Sequence, residues 1–376
     1  MSTRFGFVST FPPTQCGLAT FTAALRDALL DSTADEGWVI RLVDAAASRP
    51  GDEVVAQLIT DDSASLSWAA AQLNRCDVAI LQHEYGVYGG PDGSQILHLL
   101  DQVRVPCVVV LHTVLTDPTP HQRDVLESVI AKADAVVAMT MTARDRLAAG
   151  YAVDMTKVCI IAHGAPVRPT TMAEPTFRTG QFTVLTWGLL GPGKGIEWGI
   201  EAMAMLRDLV PMPRYVVAGQ THPKVLLDEG EAYRDRLREQ VQQAELESSI
   251  TFDGYYRSTS ALACLVRSAD VVLLPYDSTE QVTSGVLIEA MAAGKPVVAT
   301  QFPHAAEVLA GGAGLLVPHR DPAAIATALR SVITRGDVMA KMAAAATQTA
   351  PQLLWPVIAD QYRALTSRLI TASVAA

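Results

Sequence analysis

The stretch SGVLIEAMAAGKPVVAT, residues 284–300, predicts a helix that is followed, after a Gly-Lys-Pro turn, by a buried strand. Ser284 and Gly285 form a small-residue turn at the start of that helix, where backbone N–H groups and the positive end of the helix dipole attract an anion. Glu289 lies about one turn further on among apolar residues, and a carboxylate buried there without a partner is costly. We therefore interpret the turn as a phosphate site, Glu289 as a ligand for the hydroxyls of a ribose, and Thr283 as a candidate sugar contact.

Apolar runs of strand length alternate with helix-length segments along the whole chain. Runs rich in β-branched residues and buried on both faces are typical of parallel sheets covered by helices. The predicted strands are RFGFVST, GWVIRLV, VAILQHE, CVVVLHT, AVVAMT and VCIIA in the first half, and FTVLTWG, RYVVAGQ, ITFDG, VVLLPY and PVVAT in the second. Predicted helices include ATFTAALRDALL, EAYRDRLREQVQQAEL and DPAAIATALRSVITR. This pattern predicts an α/β protein whose ligands bind beyond the carboxyl ends of the strands.

A chain of 376 residues is too long for one ordinary hydrophobic core. Residues 165–180 are rich in Pro and Thr and show no periodicity, so we predict a linker there. This divides the chain into two Rossmann-like, doubly wound domains facing a central cleft, over residues 1–170 and 171–350. Residues 351–376 are predicted to form a terminal helix, broken near Pro356, that packs back toward the first domain.

The composition narrows the classes of partner. Residues 1–175 contain 12 Lys and Arg but 20 Asp and Glu, and this acidic first half argues against nucleic acid and against an anionic lipid surface. No signal peptide and no run of about 18 apolar residues is found, so we expect no strong membrane association. The five cysteines are scattered without a CxxC pair, which disfavours a disulfide or zinc framework and fits the cytoplasm. The oligomeric state stays open.

Polar residues follow the first predicted strand, in the segment TFPPTQCGLATFTAAL. Gln15 and Gly17 stand before a helix there, and Gly17 allows a ligand to approach the backbone closely. An ordinary turn between a strand and a helix explains the same residues equally well. The chain has neither GxGxxG nor GxxxxGK[ST] at this turn. This argues against an NAD-dependent oxidoreductase and against a P-loop protein.

Histidines end three of the predicted strands in the first half. His83 and Glu84 precede a glycine-rich loop in LQHEYGVYGG that can shape a hydroxyl-rich pocket. His112 ends VVLHTV, and a His at the carboxyl end of a parallel strand favours a functional role. His163 in AHGAP suits either a site or a turn that joins the two domains.

Glycines surround one lysine in VLTWGLLGPGKGIEWGIEAM, directly after a strand. Gly188 and Lys194 in this loop are suited to a diphosphate, because backbone N–H groups and a compact cation bind it together. The alternative is that Lys194 is a solvated loop residue without a ligand. In ITFDGYYRS, Tyr255 is a candidate for the wall of a base pocket.

Taken together, the glycine loop with Lys194, the Glu289 helix before AAGKPVVAT, and the segments FPHAAEVL and GAGLLVP resemble the retaining glycosyltransferases of family GT4, which have the GT-B fold. The resemblance spans essentially the whole chain and is strongest over residues 181–318. It implies an acceptor-binding first domain, a nucleotide-sugar-binding second domain, and a reaction without metal or other cofactor. It also implies that Lys194 neutralises the leaving diphosphate and that Glu289 is the second Glu of the family's E-x7-E motif. By the same resemblance, His112 lies near the transferred sugar and Gly17 near the donor phosphates.

Two positions depart from the family pattern. Gln281 stands where the first Glu of E-x7-E is usual, and its amide can hydrogen-bond the donor sugar but carries no charge. Leu189 stands where many members have an Arg, which removes one phosphate-binding cation, and Arg257 is a candidate replacement.

The sequence therefore predicts a retaining glycosyltransferase that uses GDP-mannose or a UDP-sugar, with GDP-mannose weakly favoured, and a soluble sugar or small polyol as acceptor. The catalytic candidates are His112, Lys194 and Gln281. Two alternatives stay open: a GT-B sugar-nucleotide epimerase, and a non-catalytic sugar-nucleotide-binding protein, which the departures at Gln281 and Leu189 motivate.

Overall fold

The computed structural model describes residues 2–48, 51–167 and 180–375. The chain divides into two compact units. Unit 1 consists of Met1–Gly164 and Trp355–Ala376, and unit 2 consists of Ala165–Leu354. The divisions therefore fall a few residues away from the predicted ones, and most of the predicted linker lies outside the described residues.

Unit 1 contains a parallel sheet of seven strands in the order β3-β2-β1-β4-β5-β6-β7. The central strands are buried on both faces: every residue of β4 and β5 is buried, as their apolar sequences predict. The order reverses between β1 and β4, which is where open sheets of this kind bind ligands. The strands are β1 (Arg4–Ser9), β2 (Glu36–Val43), β3 (Val54–Ile59), β4 (Val78–His83), β5 (Cys107–Leu111), β6 (Ala135–Ala138) and β7 (Val158–Ile160).

Helices cover both faces of this sheet. Phe21 and Leu25 of the first helix pack on Phe7 of β1 and Ile80 of β4 in one apolar cluster. The helices within the first part of unit 1 are α1 (Gly17–Leu30), α2 (Ser63–Leu73), α3 (Gln95–Leu100), α4 (Pro120–Lys132) and α5 (Met141–Gly150).

Unit 2 contains a parallel sheet of six strands in the order β10-β9-β8-β11-β12-β13. This is the same order as that of the first six strands of unit 1, and the reversal falls between β8 and β11. The strands are β8 (Thr183–Trp187), β9 (Arg214–Ala218), β10 (Ile250–Asp253), β11 (Val271–Leu274), β12 (Val297–Thr300) and β13 (Gly314–Val317).

Two apolar clusters, one for each face, hold the helices of unit 2 on its sheet. One cluster joins α6, α8 and α12 to the sheet through residues such as Tyr215 and Val217, and the other joins α9 and α10 through Leu185 and Val216. The helices are α6 (Ile196–Ala204), α7 (Pro223–Glu229), α8 (Ala232–Gln243), α9 (Thr259–Ser268), α10 (Gly285–Ala292), α11 (Pro303–Val308), α12 (Pro322–Thr334) and α13 (Gly336–Thr349).

The last helix, α14 (Trp355–Ala375), belongs to unit 1. Its residues Ile358 and Tyr362 share the apolar cluster of β1 and α1, and Arg363 donates two hydrogen bonds of 2.9 Å to carbonyl oxygens at the end of α1. The prediction of a break near Pro356 is wrong: the helix begins at Trp355, and Pro356 lies in its first turn. Proline is tolerated there because the N–H that it lacks has no partner within the helix.

The α/β class with two doubly wound parallel sheets is confirmed. Two strands escaped prediction, β3 and β13, and both are outermost in their sheets.

Candidate functional site

The loop between β8 and α6 carries Lys194 and depends on glycine. Gly188 has φ +127° and Gly195 has φ +64°, both in the region that favours glycine. A Cβ atom on Gly195 would lie 1.8 Å from the carbonyl oxygen of Pro275, which follows β11. Glycine at this position therefore lets the loop lie directly against the carboxyl end of β11.

The ammonium group of Lys194 is partly buried, and this burial lowers its pKa. Its Nζ lies 4.4 Å from the ring centroid of Tyr276, a distance that allows a cation–π interaction. Within the part of the chain that the structure describes, no carboxylate forms an ion pair with Lys194. A half-buried cation without a counter-ion is typical of a site that binds an anion.

Tyr276 holds Lys194 beside the N-terminus of α10. Its buried ring stacks on Phe302 at 5.3 Å between centroids. Burial raises the pKa of the Tyr276 hydroxyl, and the neighbouring Ser284 side chain opposes that rise. The glycine loop reaches the same helix, because a Cβ on Gly188 would lie 3.8 Å from Cγ2 of Val286. The structure thus brings the predicted loop and the predicted helix turn into one site.

The start of α10 is only partly available to a ligand. Ser284 caps the helix, since its Oγ accepts a hydrogen bond of 3.3 Å from the N–H of Leu287. The N–H of Ser284 donates to Nδ1 of His304 at 2.7 Å, so this amide, which the sequence offers to phosphate, is already engaged. The N–H groups of Gly285 and Val286 belong to the first turn, which has no partner within a helix.

Glu289 lies one turn into α10 and is partly buried. The indole N–H of Trp187, the last residue of β8, donates to its Oε2 at 3.2 Å. Burial raises the pKa of the Glu289 carboxyl to about 7, and the hydrogen bond from Trp187 opposes the rise. A carboxyl with this pKa ionises readily when hydroxyl or other donors approach it.

The loop before α10 contains Gln281 and Thr283. The Gln281 amide donates from Nε2 to the carbonyl oxygen of Thr283 at 3.0 Å. The Oγ1 of Thr283 is buried and has no hydrogen-bond partner among the described residues. That hydroxyl therefore suits a ligand group, as buried polar atoms are rarely left unpaired.

The two other positions that sequence analysis selected in unit 2 lie further along the sheet, after β10. Arg257 pairs with the carboxylate of Asp253, and this pairing lowers the pKa of Asp253. Tyr255 is 78% exposed, so its ring is open to stacking by a planar group. At Leu189 the side chain is apolar and partly buried, and it supplies no cation.

In unit 1, Gln15 and Gly17 lie at the turn between β1 and α1. Cys16 caps the helix, with Sγ accepting from the N–H of Ala19 at 3.4 Å. A Cβ on Gly17 would meet nothing within 4 Å, and the φ of this residue is not left-handed. The fold itself therefore does not require glycine at position 17.

Three histidines at strand ends in unit 1 are kept neutral by burial. Burial lowers the pKa of His83 to about 4, of His112 to about 3 and of His163 to about 4, and His163 adds to the effect at His112. The ring of Phe21 lies 5.0 Å from those of both His112 and His163, so these two share one cluster under α1. None of the three can supply a proton as an imidazolium near neutral pH.

Hydrogen bonds distinguish these histidines. Nε2 of His112 lies 2.7 Å from Oε1 of Gln82, which assigns the ring proton to Nε2. Both ring nitrogens of His83 are buried without a hydrogen-bond partner among the described residues. Glu84 accepts from the Thr113 hydroxyl at 2.6 Å and from the N–H of Tyr85 at 3.0 Å.

Sequence analysis missed three residues that organise the site in unit 2: Trp187, Tyr276 and His304. Each lies inside a segment whose sequence predicts a strand or carries a family motif, and none has a local feature that marks it as functional. Among the described residues, no group of three or more His, Cys, Asp or Glu side chains is arranged to hold a metal ion. None of the described helices is long and apolar enough to cross a membrane.

The two doubly wound sheets define the chain as an α/β protein of the GT-B class. The Anabaena protein Alr3699/HepE, crystallised in complex with UDP, has the same fold with a TM-score of 0.75, at 19% identity, over 98% of this chain and 100% of that protein. Residues 167–349 match the family model "Glycosyl transferases group 1".

Sequence relatives agree with this family. A D-inositol 3-phosphate glycosyltransferase of Rhodococcus jostii is 30% identical over 281 residues, which is 69% of this chain and 60% of the relative. A phosphatidyl-myo-inositol mannosyltransferase of Mycolicibacterium smegmatis is 34% identical over 163 residues, 43% of this chain and 40% of the relative. The match thus spans less than two thirds of the length of both curated relatives.

Proposed function

We propose that this protein is a retaining glycosyltransferase that moves a sugar from a nucleotide-sugar donor to a hydroxyl of a soluble sugar or small polyol. The observation that carries the proposal is Lys194, a partly buried cation without a carboxylate partner among the described residues, held beside the N-terminus of α10. A cation and helix amides in one place suit a diphosphate.

In the proposed reaction, the bond between the anomeric carbon and the distal phosphate oxygen of the donor breaks, and the acceptor oxygen bonds to that carbon from the same face. The proton of the acceptor hydroxyl passes to the leaving phosphate oxygen. Negative charge grows on the diphosphate, where Lys194 and the amides of Gly285 and Val286 stabilise it. Because these groups supply the positive charge, the proposal requires no metal and no other cofactor.

The remaining candidates receive roles by the chemistry of their side chains. Glu289 accepts from the ribose hydroxyls, and Tyr255 stacks on the base. The neutral imidazole of His112 and the Gln281 amide hydrogen-bond the transferred sugar. The proposed contacts for the acceptor or sugar hydroxyls are Gln15, His83, Glu84, His163 and Thr283.

For the donor, GDP-mannose and a UDP-sugar are the two candidates. The Mycolicibacterium relative is named as a mannosyltransferase, which supports GDP-mannose, and the Anabaena protein was crystallised with UDP, which supports a UDP-sugar. The Rhodococcus relative has inositol 3-phosphate, a soluble phosphorylated polyol, in its name, which supports a polyol acceptor here. The five cysteines are all free thiols, which supports a reducing compartment such as the cytoplasm.

A thermal-shift screen with GDP, UDP and ADP tests the donor class. A ligand that binds only the native state raises the melting temperature. We expect GDP or UDP to raise it and ADP to have little effect, followed by transfer from the matching nucleotide-sugar to inositol or a related polyol with the anomeric configuration retained. If no nucleotide shifts the melting temperature, the proposal is wrong; if nucleotide binds but no sugar is ever transferred or hydrolysed, the protein is a sugar-nucleotide-binding protein instead.

A further inference from the structure

His304 lies in the first turn of α11, and only 2% of its surface is exposed. Its Nδ1 accepts a hydrogen bond of 2.7 Å from the N–H of Ser284, the residue that caps α10. Its own backbone N–H donates to the carbonyl oxygen of Gln281 at 3.3 Å. The residue therefore contacts both ends of the short segment 281–284 that leads into α10.

The bond to Ser284 has two physical consequences. Because Nδ1 is an acceptor, the neutral ring carries its proton on Nε2. The N–H of Ser284 would otherwise be a donor buried at a helix start without a partner, which is unfavourable. His304 thus fixes the peptide plane of Ser284, and through it the direction in which the next N–H groups, those of Gly285 and Val286, point.

The position of His304 is itself fixed. Phe302, two residues earlier, is fully buried and stacks on Tyr276, the ring that lies under Lys194. A single packed chain of residues therefore connects the cation to the amides of α10. A displacement of the His304 ring would therefore move the α10 amides relative to Lys194.

We propose that His304 is a positioning residue: by accepting from the N–H of Ser284, it aims the first amides of α10 at the diphosphate of the donor. This inference rests on the proposed function, because it assigns the α10 amides to a diphosphate. The N–H groups at this turn then have two different roles. The N–H of Ser284 bonds to His304, and the N–H groups of Gly285 and Val286 bind the diphosphate.

Two matched substitutions test the role of the acceptor atom. In His304→Asn the side-chain oxygen occupies about the position of Nδ1, whereas in His304→Gln it lies about one bond further out. Titration calorimetry with GDP and guanosine, or with UDP and uridine if UDP is the nucleotide that binds, separates the diphosphate from the nucleoside. We expect His304→Gln to lower the affinity for the nucleoside diphosphate by about tenfold and the affinity for the nucleoside by less than about twofold. The affinities of His304→Asn should be close to those of the wild type.

The outcomes are distinguishable. Equal weakening of diphosphate and nucleoside, or equal weakening by Asn and Gln, means that His304 only maintains the fold and overturns the inference. Wild-type affinity in His304→Gln overturns it as well, and leaves the proposed function intact. If wild-type protein binds neither GDP nor UDP, the proposed function fails and the inference fails with it. A third variant, His304→Leu, removes the acceptor while keeping the apolar volume, and is expected to behave as His304→Gln does.

Discussion

The two units have the same order of their first six strands, but the polar side chains at their strand ends differ in charge. In unit 1, burial keeps the three histidines neutral, so they can only donate and accept hydrogen bonds. In unit 2, the equivalent edge of the sheet holds a cation without a carboxylate partner in the described chain and a carboxyl whose pKa is about 7. The fold alone therefore does not decide the chemistry; the residues placed at the strand ends do. Under the proposed function, unit 2 supplies the charge for a diphosphate and unit 1 supplies hydroxyl-binding groups.

The strongest test of this contrast between the units is a substitution of Lys194, for which we expect the largest effect. The substitution Lys194→Met keeps the side-chain length and removes the charge, so the leaving diphosphate loses its cation. We expect sugar transfer to fall by about 100-fold or more, as when a group that stabilises developing charge is removed. The melting temperature should stay equal or rise, because the removed ammonium is partly buried and unpaired.

The control is Lys341→Met, which removes an exposed cation on α13 in the same unit. Its rate of transfer should equal that of the wild type. If both variants transfer sugar at the wild-type rate, unit 2 does not act through the charge of Lys194 and the contrast between the units loses its chemical meaning.

The second prediction compares one glycine from each unit. Gly195→Ala places a Cβ 1.8 Å from the oxygen of Pro275 at φ +64°, whereas Gly17→Ala meets open space at an ordinary φ. We expect Gly195→Ala to reduce the free energy of unfolding by about 3 kcal/mol or more, and Gly17→Ala to change it by less than about 0.5 kcal/mol.

Urea unfolding measures both changes, and nucleotide titration of Gly17→Ala gives a second result. If Gly17 is present to let a phosphate approach the backbone, the variant binds nucleotide-sugar more weakly at unchanged stability. Equal destabilisation by the two substitutions would show that both turns need glycine for folding alone.

Burial on both faces makes the central strands the easiest to recognise from the sequence. Central strands such as β4 and β5 were recognised because burial on both faces produces an unbroken apolar run. The strands β3 and β13 were missed. Buried and partly exposed residues alternate in β3, and only Val317 is buried in β13, so neither has a run of buried residues that stands out from a loop.

The same distinction holds for the candidate site. Lys194 and Glu289 could be selected because glycines or a helix start stand beside them in the sequence. Tyr276 and His304 could not be selected, since their partners lie 82 and 20 positions away, at Lys194 and Ser284, and only the packed sheet brings them together. The engagement of the Ser284 amide by His304 is likewise a tertiary contact that no local pattern encodes.

The third prediction uses Glu289, whose folded pKa of about 7 lies above the ordinary value of 4.5. As pH rises from 4.5 to 7, the unfolded chain loses this proton first, so the carboxyl lowers stability progressively over that interval. The variant Glu289→Gln does not titrate. Relative to wild type, it should therefore gain about 2 kcal/mol of unfolding free energy between pH 5 and pH 8.

Urea unfolding at the two pH values measures this gain, with the exposed Glu239→Gln as a control that should show none. Nucleotide binding should respond in the opposite direction, because ribose hydroxyls donate to the ionised carboxylate: wild-type affinity rises with pH through 7 and the variant's does not. A pH-independent difference in stability would mean that Glu289 is not held in a raised-pKa state.

The smallest expected effect comes from unit 1 and has the opposite sign. His83 is fully buried, its folded pKa of about 4 lies below the ordinary 6.5, and its ring nitrogens have no partner among the described residues. As pH falls from 6.5 toward 4, the unfolded chain binds a proton that the folded chain does not, so stability is lost in acid. The variant His83→Leu removes this loss, and should gain about 1–2 kcal/mol of unfolding free energy relative to wild type between pH 7.5 and pH 5.

His98→Leu, at an exposed position on α3, is the matched control and should not gain. Because Glu289 weakens the fold as pH rises and His83 weakens it as pH falls, the unfolding free energies of the two variants relative to wild type should change in opposite directions as pH falls to 5. A change in the same direction would contradict the contrast between an ionising site in unit 2 and a neutral one in unit 1.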